Sequence, residues 1–483
     1  MNSASDSTID VDAKESPLRL IVGYTAMLVV AVGLFLLIRS YGESLKPAVV
    51  ADHPAAASAT GFTASDILRH VLFALATIII LGRGLGKLFT YIGQPRVIGE
   101  MVAGIMLGPS LLGHISPVTM NYVIPPEIMP YLGVISQIGI VLYMFLIGIE
   151  LNAGLLRSQA HATVAISHAS ILAPFLLGAA LALWLFPTLA PDGVPFTSFA
   201  LFMGVAMSIT AFPILARILT DRRMDKTSLG VIALSCAATD DVTAWCLLAF
   251  VIGVARSDVH TAFRTILLAF GFIIVMFVVV RPIAIRLVGT EAGPRRATRV
   301  TTRLFVAVLL SACAAEFIGI HAIFGAFLLG AVIPHDSPVA HEFTHKLQDI
   351  VKILLLPAFF AYTGMRTQIG LVSGTTEWLI CGAIILAATA GKFGGTYVAA
   401  KLTGLDWRTS AALGVLMNTR GLMELIVLNI GLELGVISPE LFAMMVLMAL
   451  VTTMSTTPIL LLLHTARDEV GAASPAPARK AAG

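Results

Sequence analysis

Charge is what this chain has least of. Asp, Glu, Lys and Arg together make up 12% of its 483 residues, about half the share of a soluble globular protein. With a mean hydropathy of +0.92, an ordinary soluble domain is excluded and an integral membrane protein is expected. Cysteine is equally sparse. Cys236, Cys246, Cys313 and Cys381 form no Cys-x-x-Cys pair and lie in apolar runs, so neither a disulfide frame nor a structural metal site is expected, and they read as small core residues. The net charge is only +3, and the positives sit at helix ends rather than in a patch, which speaks against a nucleic-acid partner. No nucleophile, metal or phosphate motif is present, which speaks against an enzyme and gives no cofactor.

What is abundant is apolar sequence of membrane-spanning length, about 20 residues for a helix. A first run, Leu20 to Ile38, follows a polar start; a signal peptide would begin basic and have a shorter apolar core, so it reads as an uncleaved anchor, with cleavage at Ala55-Ala56-Ala57 as the alternative. The Ala-, Ser- and Pro-rich stretch Tyr41 to Thr63 reads as a linker. Thirteen further segments follow: Ile67–Leu88, Val97–Leu112, Leu132–Leu151, Ala162–Phe186, Phe199–Leu219, Thr227–Ala255, Ile266–Val288, Leu304–Ile318, Ile320–Ile333, Leu347–Gly364, Trp378–Leu402, Ala411–Leu434 and Leu441–Leu463. At Gly319 one bent helix or two short ones fit equally. The chain thus divides into an N-terminal tail, anchor and linker (1–63), a membrane domain (64–466) and a short C-terminal tail (467–483).

Cytoplasmic loops collect Lys and Arg. With the N-terminus inside, most of the 31 cations fall in cytoplasmic connections, and Arg39, Lys46, Arg69, Arg256, Arg264 and Arg366 fall outside. Both ends are therefore expected in the cytoplasm. Two cations, Lys392 and Arg420, belong to no loop and lie deep in apolar segments.

Two adjacent acids interrupt the sixth of the thirteen segments, in Ala237-Ala238-Thr239-Asp240-Asp241-Val242-Thr243-Ala244-Trp245. An intramembrane acid costs about 2.5–3.5 kcal/mol on the mildest scale and is a functional hypothesis by default. Neighbours on a helix point about 100° apart, so one acid can face a neighbouring helix and the other a cavity, and the two titrate as a coupled unit. Such a carboxylate, able to hold a proton or a hard cation, suits proton/cation exchange. The rival reading is a structural acid pair neutralised by Lys392 and Arg420. Lys392, between Gly391 and Gly394-Gly395, is the natural counter-charge, with small neighbours that allow close helix approach. Arg420 and Glu424 are spaced i, i+4 and read as a local ion pair rather than a substrate contact.

Two segments are themselves broken, at Ser208-Ile209-Thr210-Ala211-Phe212-Pro213 and at Asn418-Thr419-Arg420-Gly421. Paired breaks at matching places are the mark of discontinuous helices meeting at a transporter's site. They lie an odd number of segments apart, so the two halves have opposite topology. Thr210 precedes Asp241 as Thr419 precedes Leu450, just before Thr452 and Thr453. Among the remaining polar residues, Glu100 reads as a capping or solvated acid near a cytoplasmic end, or as a transport residue. Glu316 with His321 reads as a proton relay or as a polar contact between helices. His335, His341 and His345 read as a solvated loop in preference to a pH sensor, and Gly99, Gly104, Gly108 and Gly113 as packing positions.

Together with Gln94-Pro95-Arg96-Val97-Ile98-Gly99-Glu100, His321-Ala322-Ile323-Phe324-Gly325-Ala326-Phe327 and Asn418-Thr419-Arg420-Gly421-Leu422, these features resemble the second branch of the monovalent cation/proton antiporter family from Ile67 to Leu463. The resemblance implies an all-α polytopic membrane protein with a thirteen-helix antiporter fold, inverted repeats and two crossing discontinuous helices. It also implies interleaved dimerisation and core helices, a homodimer in membrane lipid, and exchange of Na+ or K+ for H+ by alternating access. By the same analogy Asp241 exchanges cation for proton as a transient monovalent-metal ligand, Asp240 pairs with Lys392, and Thr210 and Thr239 complete the ion- and proton-binding set. Two acids in this motif go with electrogenic sodium exchange. The extra N-terminal helix departs from the family pattern and is expected to alter the dimer interface. Two rival functions remain: sodium-coupled symport of an organic anion, which needs a larger polar cavity, and a non-transporting membrane sensor or scaffold.

Overall fold

The structure is a computed structural model that describes residues 17–43, 63–150, 160–224, 227–255, 259–288, 294–334 and 338–463. The described residues are helical, without a strand. In chain order, α1 (Pro17–Gly42), α2 (Ala64–Tyr91) and α3 (Arg96–Leu107) precede two short helices, α4 (Leu112–Ile115) and α5 (Pro117–Val123), and then α6 (Met129–Glu150). α7 (Ala160–Leu189), α8 (Phe196–Ser208), α9 (Phe212–Asp221) and α10 (Ser228–Ala255) follow. α11 (Val259–Val275) passes through a π-helical turn, Met276–Val280, into α12 (Arg281–Val288). Next come α13 (Pro294–Ile318), α14 (Ala322–Val332) and α15 (Pro338–Ile350), which continues through a second π turn, Val351–Leu355, into α16 (Leu356–Arg366). The last four are α17 (Thr375–Leu402), α18 (Trp407–Met417), α19 (Leu422–Glu433) and α20 (Pro439–Leu463).

Among the described residues, eleven helices are long and apolar enough to cross a membrane, or twelve if α18 and α19, bent by 42° at their break, count as one span. Two shorter apolar helices, α8 and α14, add to these. Each segment read from the sequence coincides with one helix or a broken pair, and the protein is a multi-pass integral membrane protein. Its outer surface is apolar, with Leu267, Phe270, Ile274 and Val278 exposed along one helix, as hydrocarbon requires. Cys246 and Cys313 also lie on exposed surface, which corrects their reading as core residues; Cys236 and Cys381 are buried.

Local chemistry sets the ends. Thr63 caps α2 in a reciprocal capping box with Asp66. At Gly319 the chain does turn between two helices. Gly319 adopts φ +93°, which glycine takes at no steric cost, and its amide donates back to Ala315 and Glu316. Glu316 then accepts from the amide of Ala322 at 2.9 Å and so caps the start of α14, and His321 (φ +74°) lies between the two helices.

Two bodies emerge from the packing. α14 lies along α6 and α13, α3 along α2 and α16, and α16 along α6. Separately, α17 lies along α7, α18 and α20, while α7 also packs on α8 and α10. The close approaches use small residues. A Cβ at Gly99 would lie 2.6 Å from the amide nitrogen of Gly86, one at Gly104 2.4 Å from the Ala361 carbonyl, and one at Gly108 2.8 Å from Met365 Cα. Gly113 instead faces the flexible Met120 side chain. α1 packs on α7 and α8, with Phe35 and Phe175 rings 5.9 Å apart. The additional helix therefore leans on the body that carries the acid pair, not on the other one.

Polar links join the two bodies at one end. Asn429 of α19 donates to Thr363 at 2.8 Å and accepts from Arg366 at 3.2 Å. Arg366 also pairs with Glu433 at 3.2 Å. Arg366, expected from the charge pattern to be an outside loop residue, thus closes α16 against α19. Beside this link is a cavity of about 330 Å³, lined among others by Gln137, Glu316, His321 and Glu433.

Candidate ion-binding site

Asp240 and Asp241 lie midway along α10, 0% and 3% exposed. A buried carboxylate is tolerated only when donors or cations meet its oxygens, and the two acids differ sharply in this respect. Asp240 is fully met. Its Oδ1 accepts from Ser167 at 2.6 Å. Its Oδ2 accepts from Ser170 at 2.8 Å, Thr210 at 2.9 Å and Lys392 Nζ at 3.0 Å. Asp241 Oδ1, in contrast, is buried with no hydrogen-bond partner among the described residues.

The donors come from three elements. Ser167 and Ser170 lie on one face of α7, three residues apart. Pro174, inside the same helix, has no amide to give the Ser170 carbonyl. Lys392 arrives on α17, which reaches α7 because Gly391 and Gly395 face it; Cβ atoms there would come within 2.6 Å of Pro174 Cα and of the Ala169 carbonyl. Thr210 belongs to the break between α8 and α9, and its hydroxyl is shared between Asp240 and the carbonyl of Met417 at 3.1 Å.

That second contact shows how the two breaks cross. The Ala211 amide donates to the Thr419 carbonyl at 2.9 Å. Arg420, 0% exposed, sends its guanidinium back to the carbonyls of Met207 (2.7 Å) and Ala206 (3.2 Å) at the end of α8. Lys392 Nζ donates to the Ser208 carbonyl as well. A helix C-terminus carries about half a unit of negative charge and orphaned carbonyls, and here two cations cover it. On the other break, Thr453 of α20 accepts from the Arg420 amide at 2.9 Å and donates to the Arg420 carbonyl at 2.6 Å. A threonine three residues past Leu450, the position that matches Asp241 in the second half, therefore ties the second break.

Glu424 lies 3.4 Å from Arg420, both wholly buried, as their spacing suggested. Thr239 is not brought to the cluster, because its hydroxyl donates to the Ser235 carbonyl one turn back. Glu100 faces Gly82 on α2, and Arg83 and Arg96 are the charges that act on it. Glu316 and His321 line the cavity that lies between α6, α13 and α14 on one side and α19 on the other. His345 is exposed, while His335 lies outside the described residues. No group of three or more metal-ligating His, Cys, Asp or Glu side chains occurs among the described residues, and a monovalent cation here would be cargo. Sequence reasoning missed Ser167 and Ser170, although two serines three apart in an apolar helix already mark a polar stripe. It also gave Arg420 too small a part, since its strongest contacts are across the crossing.

Residues 73–462 match the sequence profile of the family described as sodium/hydrogen exchanger, transmembrane. A "Na(+)/H(+) antiporter NhaS4" of Synechocystis is 44% identical over 83% of this chain and 99% of its own length. A "Cation/H(+) antiporter 20" of Arabidopsis thaliana is 39% identical over 80% of this chain, which spans about half of that protein (48%). Among solved structures, the sodium proton antiporter MjNhaP1 of Methanocaldococcus jannaschii superposes with a TM-score of 0.60 at 14% identity, covering 82% of this chain and 96% of that one. The all-helical architecture with its two broken helices is thus a known antiporter fold, and the chain belongs to the sodium/hydrogen exchanger family.

Proposed function

We propose that this protein exchanges a monovalent cation for protons across the membrane, with Asp241 carrying cation and proton in turn. The observation behind this is the contrast between the two acids: Asp240 takes four donors, while Asp241 Oδ1 is buried without one. A buried carboxylate oxygen of that kind is met by a proton or by a hard cation. Competition for it couples the two flows. Asp240 holds Lys392 and orients the Thr210 hydroxyl, and the crossing of the two breaks supplies further backbone oxygens. Sodium is favoured over potassium because the relative that this chain spans almost completely is named for sodium.

Exchange is electrogenic in this reading. The arrival of a cation at Asp241 adds positive charge beside Lys392 and favours loss of the lysine proton, so more than one proton moves per cation. The two packed bodies suit alternating access, α7–α10 with α17–α20 moving as the ion-carrying core against a dimerising frame of α2, α3, α6 and α11–α16. The distribution of loop cations supports a cytoplasmic position for both termini. The deciding experiment uses purified protein in proteoliposomes with a pH-sensitive dye, titrated with sodium, potassium and lithium. Wild-type protein releases protons against sodium and Asp241→Asn does not; a D241N variant with normal exchange overturns the assignment. If an imposed membrane potential leaves the wild-type rate unchanged, exchange is electroneutral.

A further inference from the structure

α20 carries a proline, Pro458, within its length. Proline has no amide hydrogen, so the carbonyl four residues back, that of Met454, is left without its helical donor. At membrane depth such a group needs a partner from elsewhere. It finds one on the other body. Gln94, in the turn between α2 and α3, donates its Nε2 to the Met454 carbonyl at 3.1 Å.

This contact lies apart from the polar link of Arg366, Asn429 and Glu433. On the frame, Gln94 precedes α3, whereas Gly108 at the far end of α3 meets Met365, next to Arg366. On the core, Glu433 ends α19, whereas Met454 lies about four turns into α20. Val97, close after Gln94, packs against the apolar cluster that holds Ile214 of α9 and Met417 of α18. The start of α3 is thus seated on both broken helices. Met454 itself follows Thr453, which clasps the second break by the Arg420 amide and carbonyl.

We propose that Gln94 and the carbonyl freed by Pro458 form a docking point between frame and core, which holds the α2–α3 end of their interface shut and so sets how often the ion site faces that side. The inference rests on the exchange reading above and its two moving bodies. Because Pro458 has no donor to give, α20 cannot reclaim the Met454 carbonyl when the bodies part, and within the protein the docked arrangement is the one that satisfies it. The docking is also weak enough to release. Gln94 Oε1 is buried without a partner among the described residues, so half of the amide opposes the arrangement that the other half favours. Arg83, Lys87 and Arg96 flank this end, which makes it the cytoplasmic one by the distribution of loop cations.

The test measures the sodium KM in right-side-out and everted vesicles, which present the external and the cytoplasmic face, for wild type, Gln94→Leu, Pro458→Ala and the double variant. Apparent affinity from each side scales with the population of the arrangement open to it. The ratio of cytoplasmic to external KM therefore follows the equilibrium between the two arrangements, while damage to the ion site itself moves both values alike. Q94L is expected to lower this ratio about two- to tenfold, the weight of one ordinary hydrogen bond. P458A returns a helical donor to the Met454 carbonyl and is expected to lower the ratio as well, and Q94L then adds less than it does in wild type. An unchanged or raised ratio in Q94L overturns the proposal. So does a Q94L effect of equal size in both backgrounds, because Gln94 would then act through something other than the freed carbonyl. If Q94L does not reach the membrane, P458A decides alone, and an unchanged or raised ratio overturns the proposal. Wild-type vesicles without sodium-driven proton movement are a separate result, and overturn the exchange reading itself.

Discussion

The amide of Ala211 donates to the carbonyl of Thr419 at 2.9 Å, main chain to main chain, one helix break to the other. Non-helical backbone at membrane depth survives only where protein or a wet cavity satisfies it. Each break here serves as the other's partner. Thr210 reaches the Met417 carbonyl, and Arg420 reaches two carbonyls at the end of α8. Helix ends that would otherwise be liabilities become a rigid, polar floor beside the acid pair.

Arg420 has the most to lose on substitution. Arg420→Met strips the donors from Ala206 and Met207 and leaves Glu424 buried without its counter-charge. Breaking a buried pair in this way costs about 3–5 kcal/mol. Thermal unfolding in detergent should show this directly. Arg420→Lys should recover only part of the loss, because one compact ammonium cannot span two carbonyls and a carboxylate. A lysine variant as stable as wild type would mean that the fork geometry is immaterial.

The two serines of α7 offer a narrower test. Ser167→Ala and Ser170→Ala each remove one donor from the Asp240 carboxylate. A hydrogen bond to a charged group contributes about 1.5–3 kcal/mol, and unfolding free energy is expected to fall by that order in each variant. Asp241 accepts from neither serine, so the sodium KM should move little. A large KM change with unaltered stability would place the exchanged ion on Asp240 instead.

Much of this architecture was legible in the sequence. Hydrophobic run length located every span, because hydrocarbon leaves little choice. The acid pair, Lys392 and both breaks stood out as polar residues in runs that should hold none. The division at Gly319 stayed open, since apolar length cannot tell one bent helix from two; a backbone φ of +93° settles it. The two serines were lost in plain sight, because Ser in a membrane helix is common and its partner lies 70 or more positions away. Cys246 and Cys313 were misread because an apolar run has a lipid face as well as a core face. The partners of Arg420 were illegible for a different reason. They are backbone carbonyls, and no side chain in the sequence announces them.

Close approach of α17 to α7 puts Lys392 within reach of Asp240, and two adjacent glycines separate that role from mere flexibility. A methyl at Gly395 would lie 2.6 Å from the Ala169 carbonyl, whereas one at Gly394 would meet nothing within 4 Å. Gly395→Ala must push the helices apart and is expected to lower both stability and exchange. Gly394→Ala should hold wild-type stability or exceed it by up to about 1 kcal/mol, the helix preference of alanine. Equal behaviour of the two variants in unfolding and proton-flux assays would show that contact with α7 is not what Gly395 provides.

Asp406 supplies a pH test outside the membrane spans. It caps α18, the half-helix leading to the second break, by accepting from the amides of Arg408 and Thr409 at 2.9 and 3.1 Å. The Thr409 side chain, together with these amides, holds the Asp406 carboxyl below its ordinary range. A group lowered on folding adds stability above its unfolded value, about 3.9 for Asp, and loses it as pH falls through the lower folded value. Asparagine caps helices about as well as aspartate but carries no charge. Asp406→Asn should therefore be slightly less stable than wild type at neutral pH, and the difference should shrink to nothing as the pH drops below the ordinary aspartate range. Asp406→Ala should cost about 1 kcal/mol at neutral pH through the lost cap. Unfolding midpoints of the three proteins between neutral pH and pH 3 provide the check, and a wild-type advantage over D406N that grows on acidification would contradict the cap as its source.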